Sequence, residues 1–203
     1  MWCDIRRRFD GVPALFLDRD GVIVEEVSYL DRPDKVRLID GVATVNAEFN
    51  RRDIPVVLVT NQSGIGRGFY DWAAFAAVQD TIATALSARG AHVDAVLACA
   101  YHASANPPYD IVDHPWRKPR PGMILEAARR MDLVLARSWI DGDKADDLAA
   151  GRSADLAGGI LVTTGHGAGE QVKARELAQT RFAVAIAPSL TQAVETLRGA
   201  LGA

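Results

Sequence analysis

Ala14-Leu15-Phe16-Leu17-Asp18-Arg19-Asp20-Gly21 is an apolar run of strand length that breaks off into two carboxylates and a glycine. The run is continuously apolar rather than alternating, which is the pattern of a strand covered on both faces of a sheet. Similar runs return at Val56–Val59, Val93–Ala98, Ser138–Ile140, Gly159–Val162 and Phe182–Ala185. Between them the spacing becomes helical, and helices are expected at about Val42–Arg52, Trp72–Arg89, Met123–Met131, Lys144–Ala154 and Leu190–Leu201. The second of these has a start signal in Asp71 and a stop in Gly90, with an apolar face of Trp72, Phe75, Val78, Ile82 and Leu86. Strands alternating with helices predict a three-layer α/β/α sandwich around a Rossmann-like parallel sheet.

The 203 residues suit one domain over 1–203, with a core of about 14–186. Tyr101–Pro121 is the longest irregular stretch and holds five of the nine prolines. A loop of that length in a compact domain usually serves the site. Hydrophobic residues at 49% and charged residues at 24% exclude disorder and coiled coil as the main architecture. A net charge of −3 offers no basic surface for nucleic acid or an anionic membrane, so neither is expected as a partner. Cys3 and Cys99 give no disulfide framework, and Met1–Asp10 lacks the apolar core of a signal peptide. The longest apolar runs are strand-length, so a cytoplasmic monomer is expected.

In an open α/β sheet, ligands bind at the carboxyl ends of the strands. The first expected strand is followed by Asp18-Arg19-Asp20-Gly21, and the second by Thr60-Asn61-Gln62-Ser63-Gly64. The third leads into the long loop, which ends in Arg117-Lys118-Pro119-Arg120-Pro121-Gly122. The fourth is followed by Asp141-Gly142-Asp143-Lys144-Ala145-Asp146-Asp147. Taken singly, these are a turn, an Asx turn, a surface charge and a helix cap. All four on one sheet edge would need four coincidences.

Side chains alternate along a strand, so Asp18 and Asp20 point one way and Arg19 the other. Two close carboxylates repel unless a cation lies between them or one keeps a proton. With Asp143 added and no His or Cys nearby, the donor set suits Mg²⁺. Thr60 offers a hydroxyl and Lys118 a point charge for a phosphate oxygen. Together these residues fit phosphoryl transfer to a carboxylate nucleophile.

The order Asp-x-Asp-Gly, Thr, Lys in a Pro-rich loop, then Gly-Asp-x-x-x-Asp resembles the haloacid dehalogenase (HAD) superfamily, over about Ala14 to Thr164. The longer texts Thr60–Gly68 and Arg117–Met123 resemble its heptose bisphosphate phosphatase and histidinol phosphatase group, the former text favouring the heptose branch. The resemblance implies that Asp18 is the nucleophile and Asp20 the acid/base, protonated at the start. It implies Mg²⁺ on Asp18, the backbone carbonyl of Asp20, and Asp143, with Thr60 and Lys118 on the phosphoryl group. Arg117 and Lys144 would recognise substrate, and Asp147 would orient Lys118 or Asp143. A flap around Glu26 to Tyr29 and the loop of Asn61, Gln62 and Ser63 would line the pocket. Arg67, Arg117 and Lys144 are then available for the second phosphate of a heptose 1,7-bisphosphate; histidinol phosphate or another small phosphomonoester is the alternative substrate.

The 42 residues from Asp18 to Thr60 and the 58 from Thr60 to Lys118 leave no room for an inserted domain, so the cleft should be capless. Many members of the group carry a structural zinc before the lysine, with the pattern Cys-x-His then Cys-x-Cys. Here Cys99-Ala100-Tyr101-His102 and His114-Pro115-Trp116 keep only Cys99 in place. Cys99, His102 and His114 are three candidate ligands where four are usual, and a loop packed without zinc is expected. A receiver-like signalling module would carry its acid after a later strand, and an inactive binding member would not keep all five of Asp18, Asp20, Thr60, Lys118 and Asp143.

Overall fold

The computed structural model describes residues 1–202. Seven strands form one sheet: β1 (Trp2–Ile5), β2 (Leu15–Leu17), β3 (Val56–Asn61), β4 (Ala95–Cys99), β5 (Trp139–Gly142), β6 (Gly158–Val162) and β7 (Ala183–Ala187). Their order is β1-β4-β3-β2-β5-β6-β7, and every pair is parallel except β1 with β4.

Period-two alternation sorts the strand residues between two cores. Leu15, Leu17, Val56, Leu58, Val96, Ile160 and Val162 face one layer, built from α1 (Val42–Arg51), α3 (Trp72–Ser87) and α7 (Leu190–Leu201). Phe16, Val57, Val59, Leu97, Ile140 and Leu161 face the other, built from α4 (Gly122–Met131), α5 (Ala145–Ser153) and α6 (Gly167–Arg175). A single helical turn, α2 (Ser63–Gly66), follows β3. The expected apolar face of α3 is the buried one, with Asp71 capping the Ala74 N–H at 2.8 Å. Among the described residues no helix is long and apolar enough to cross a membrane.

Besides the single turn α2 and two three-residue 3-10 turns, two elements lie outside the expected set. β1 adds an antiparallel edge, pairing Trp2 with Ala98 and Ile5 with Ala95, so the sheet begins before residue 14. α6 forms although it carries two glycines and buries only Gly167 and Ala174. Between β2 and β3, and between β3 and β4, the chain holds only helices and loops, with no inserted domain over the cleft. The chain runs outward on both sides of β2, through β3 and β4 in one direction and β5 to β7 in the other. The crevice therefore opens at the carboxyl end of β2, where Asp18 sits.

Candidate active site

A cleft of about 340 Å³ lies at this edge, walled by Asp18, Asp20, Glu26, Arg117, Lys118 and Lys144 among others. Asp18 is nearly buried, and its Oδ1 accepts the Arg19 N–H at 2.8 Å. Lys118 is buried and closes the floor: its Nζ lies 3.0 Å from Asp18 Oδ1 and 2.6 Å from Asp147 Oδ1, and donates to Val59 O at 2.7 Å. Burial alone would lower the Lys118 pKa, but Asp147 and Asp18 overcome it and raise it above the usual lysine value. Burial pushes Asp147 up while Lys118 pulls it back. With Lys118 Nζ and the Lys144 N–H both on Asp147, the latter at 2.9 Å, the geometry accommodates the ionised form. The structure thus places Asp147 on Lys118. Asn61 brackets the same lysine's backbone, donating to Lys118 O and accepting from Lys118 N–H, both at 3.1 Å.

Asp18, Asp143 and Asp147 bring carboxylate oxygens within 4.8 Å of one another. Asp143 is fully buried, and its Oδ2 accepts the His166 N–H at 2.8 Å while its Oδ1 has no partner. Burial first, then the Asp18 charge, push its pKa up to about 7. A buried acid held close to a second acid, with one oxygen left over, is a site that wants a cation. Hard oxygen donors with no thiol among them fit Mg²⁺. Gly21, at φ +79°, is required here: a Cβ would stand 2.6 Å from Asp143 Oδ2. Asp141, two residues inward along β5, has both carboxylate oxygens buried without partners, and burial pushes its pKa well above the ordinary value.

Several side chains do not go where strand alternation and motif position send them. Arg19 leaves on the α3 face, over the Phe75 ring, but its guanidinium curls back to Asp20, with Nε–Oδ1 at 3.0 Å and NH2–Oδ2 at 2.8 Å. Gln62 Nε2 adds a third donor to Asp20 at 3.1 Å. Arg19 and Gln62 thus hold the Asp20 carboxyl with three donors. Arg67, expected at the substrate, is off the cleft wall: it donates to Tyr29 Oη at 3.0 Å and lies 3.1 Å from His102. Its NH1 and NH2 tie the flap to the long loop, while its Nε is buried without a partner. Thr60 is buried below the wall, its hydroxyl accepting from Gln62 Nε2 at 2.8 Å.

The remaining expected residues, Glu26, Tyr29, Ser63, Arg117 and Lys144, do line the cleft. Burial and then Asp20 raise the Glu26 pKa. Arg117 also donates to Tyr101 O at 3.0 Å, which anchors the long loop. In that loop His114 stacks on Tyr101 at 3.8 Å, and His102 engages Arg67 and Ser104. Among the described residues, Cys99, His102 and His114 form no ligand cluster. Tyr70, Asp146 and His166 also line the cleft, although the sequence pattern did not single them out. His166 lies just beyond the apolar run Gly159–Val162, at the same kind of strand end as the first four motifs, and that position is a signal for it. Tyr70 precedes a helix start, and nothing local marks it.

A HAD-hydrolase-like family model matches residues 115–193. A curated D-glycero-β-D-manno-heptose-1,7-bisphosphate 7-phosphatase of Mesorhizobium japonicum is 51% identical over 151 residues, spanning 74% of this chain and 70% of that protein. A crystal structure of a HAD-like phosphatase from Mesorhizobium loti superposes with a TM-score of 0.87 at 41% identity, over 98% of this chain and 92% of that one. The D,D-heptose 1,7-bisphosphate phosphatase of B. bronchiseptica, solved with magnesium and phosphate, gives 0.79 at 32% identity, over 93% and 99%. These likenesses agree with the strand-end acids, the buried lysine and the capless cleft, and the chain belongs to the heptose bisphosphate phosphatase family of HAD-like hydrolases.

Proposed function

We propose that this chain is a Mg²⁺-dependent phosphatase that removes the 7-phosphate of D-glycero-β-D-manno-heptose 1,7-bisphosphate through an aspartyl phosphate on Asp18. The observation that carries the reading is the Asp18–Lys118–Asp147 chain beside the half-satisfied Asp143, at the floor of a cleft rimmed by Arg117 and Lys144. Relatives of that name and a magnesium- and phosphate-bound neighbour support the substrate and the metal.

Asp18 and Asp143, with the backbone carbonyl of Asp20, would hold the metal. Bound there, Mg²⁺ neutralises phosphoryl charge and lets an anionic carboxylate approach an anionic phosphate. Asp18 attacks phosphorus, the bond from phosphorus to the C7 oxygen breaks, and Asp20 gives that oxygen a proton. Water then attacks the aspartyl phosphate, Asp20 takes its proton, and the bond to Asp18 breaks to release phosphate. Arg19 and Gln62 hold the Asp20 carboxyl in place for both proton transfers. Lys118 compensates the equatorial oxygens, and Asp147 keeps it aimed. Arg117 and Lys144 take the distal phosphate. We further infer a single functional domain acting as a cytoplasmic monomer, with no nucleic-acid or membrane partner.

The test compares kcat/KM for the bisphosphate, its monophosphate and histidinol phosphate. A bisphosphate preference of at least about 10-fold, worth about 1.4 kcal/mol, is expected. Arg117→Ala should erode that preference while leaving a small generic phosphate ester within about 3-fold. Equal use of all three esters would refute the substrate assignment.

A further inference from the structure

Gln62 stands at the centre of the site's polar network. It is 2% exposed, and four protein groups occupy its amide. Its Oε1 faces Arg19 NH2 at 3.1 Å and the Tyr70 hydroxyl at 2.5 Å. Its Nε2 faces Asp20 Oδ2 at 3.1 Å and Thr60 Oγ1 at 2.8 Å. Only one orientation of the amide fits. A guanidinium can only donate, so the oxygen must face Arg19, and a carboxylate can only accept, so the NH₂ must face Asp20. Both amide hydrogens are then committed, and the oxygen carries two donors.

The fixed amide has consequences on each side. Thr60 accepts from Gln62, so its own hydroxyl hydrogen is free for an acceptor elsewhere. Tyr70 spends its hydrogen on Gln62 and shows the cleft only lone pairs, and burial raises its pKa to about 12, which keeps that hydrogen in place. Asp20 is gripped from behind by Arg19 and from the side by Gln62, with about a fifth of its side chain left exposed toward the cleft.

We propose that Gln62 is a positioning residue that aligns the Asp20 carboxyl with the leaving oxygen, held in register by Arg19 and Tyr70, rather than a substrate-binding residue. The inference deepens the phosphatase reading and rests on it. Asp20 serves the leaving group only where that group needs a proton. A sugar alkoxide needs one; a dinitrophenolate does not. Misplacing Asp20 must therefore slow the sugar ester selectively, an effect that loss of packing alone cannot produce.

The experiment measures single-turnover release, with enzyme in excess, from heptose 1,7-bisphosphate and from 2,4-dinitrophenyl phosphate. Gln62→Met keeps the length and removes all four hydrogen bonds. General acid catalysis is worth about 10²–10⁴-fold, and a misplacement of order 1 Å costs about 10²-fold. The expected result is a loss of about 30–100-fold on the sugar ester and under about 3-fold on the dinitrophenyl ester. Tyr70→Phe, which removes one hydroxyl at the cleft wall, should shift the ratio the same way by about 3–10-fold, and it carries the test if Gln62→Met does not fold. Equal losses on both esters, an unchanged sugar rate, or weaker binding with unchanged chemistry would each overturn the proposal. If the substrate reading were wrong, the wild type itself would release dinitrophenolate but spare the heptose ester. The ratio would then be read on whichever alkyl phosphate the wild type accepts.

Discussion

Asp143→Asn should make the metal-free protein more stable at pH 8 while abolishing its response to Mg²⁺. The Asp143 pKa rises from an ordinary 3.8 to about 7 because the group is buried and faces Asp18. A pKa raised in the folded state means that the native protein holds this proton more tightly than the unfolded chain. The slope of stability with pH is then negative between the two values, and the cost of the bare carboxylate is complete above the folded pKa. At 1.36 kcal/mol per pH unit, the shift amounts to about 4 kcal/mol, and solvent in the open cleft reduces it to roughly 2–4 kcal/mol. Asparagine removes the charge and keeps the geometry. Its amide oxygen can accept the His166 N–H now bound at 2.8 Å, and its NH₂ takes the place of the unpartnered Oδ1. For a chain of this size the gain is about 5–10 °C in Tm at pH 8 in EDTA, shrinking as pH falls toward 4. Melting curves with EDTA or Mg²⁺ at pH 5 and pH 8 check it. Wild type should gain from Mg²⁺ at pH 8, and the variant should not. A variant less stable than wild type in EDTA at pH 8, or one still stabilised by Mg²⁺, would refute the account of Asp143 as an acid awaiting a cation.

Asp18→Asn should remove turnover while leaving the fold, since Lys118 keeps Asp147 as its ion-pair partner at 2.6 Å; phosphate release and a circular-dichroism melt check both halves. Gly21→Ala puts a Cβ within 2.6 Å of Asp143 Oδ2 at a φ of +79°, so the Mg²⁺ concentration for half-maximal activity should rise about 10–100-fold. Metal titration of activity decides it. Exhaustive EDTA should silence the wild type, with Mg²⁺ restoring it; full activity in EDTA would remove the metal from the mechanism.

The parallel sheet and the edge where its chemistry gathers are legible in the chain itself. Continuous apolar runs such as Leu15–Leu17 and Val56–Val59 have to be buried on both faces, and their polar ends have to meet. Asp18, Lys118 and Asp143 stand out for that reason: each is a short step from a strand end, or, for Lys118, a rare lysine in a loop that must pass the edge. Contacts made at the far end of a flexible side chain, or through distant pairing, are settled only once the chain has folded. Alternation fixes the side of the sheet from which Arg19 departs, but its guanidinium returns to Asp20 because a buried cation takes the nearest carboxylate. Arg67 reaches Tyr29 and His102, a meeting that its motif does not announce. β1 carries Cys3 and Asp4 in a four-residue strand whose apolar signal is weak, and it exists because β4, about 90 residues on, offers an unpaired edge. Gln62 reads in sequence as one more polar loop residue. Only the convergence of Arg19, Asp20, Thr60 and Tyr70 around one amide fixes what it can donate and accept, and no spacing in the chain encodes that meeting.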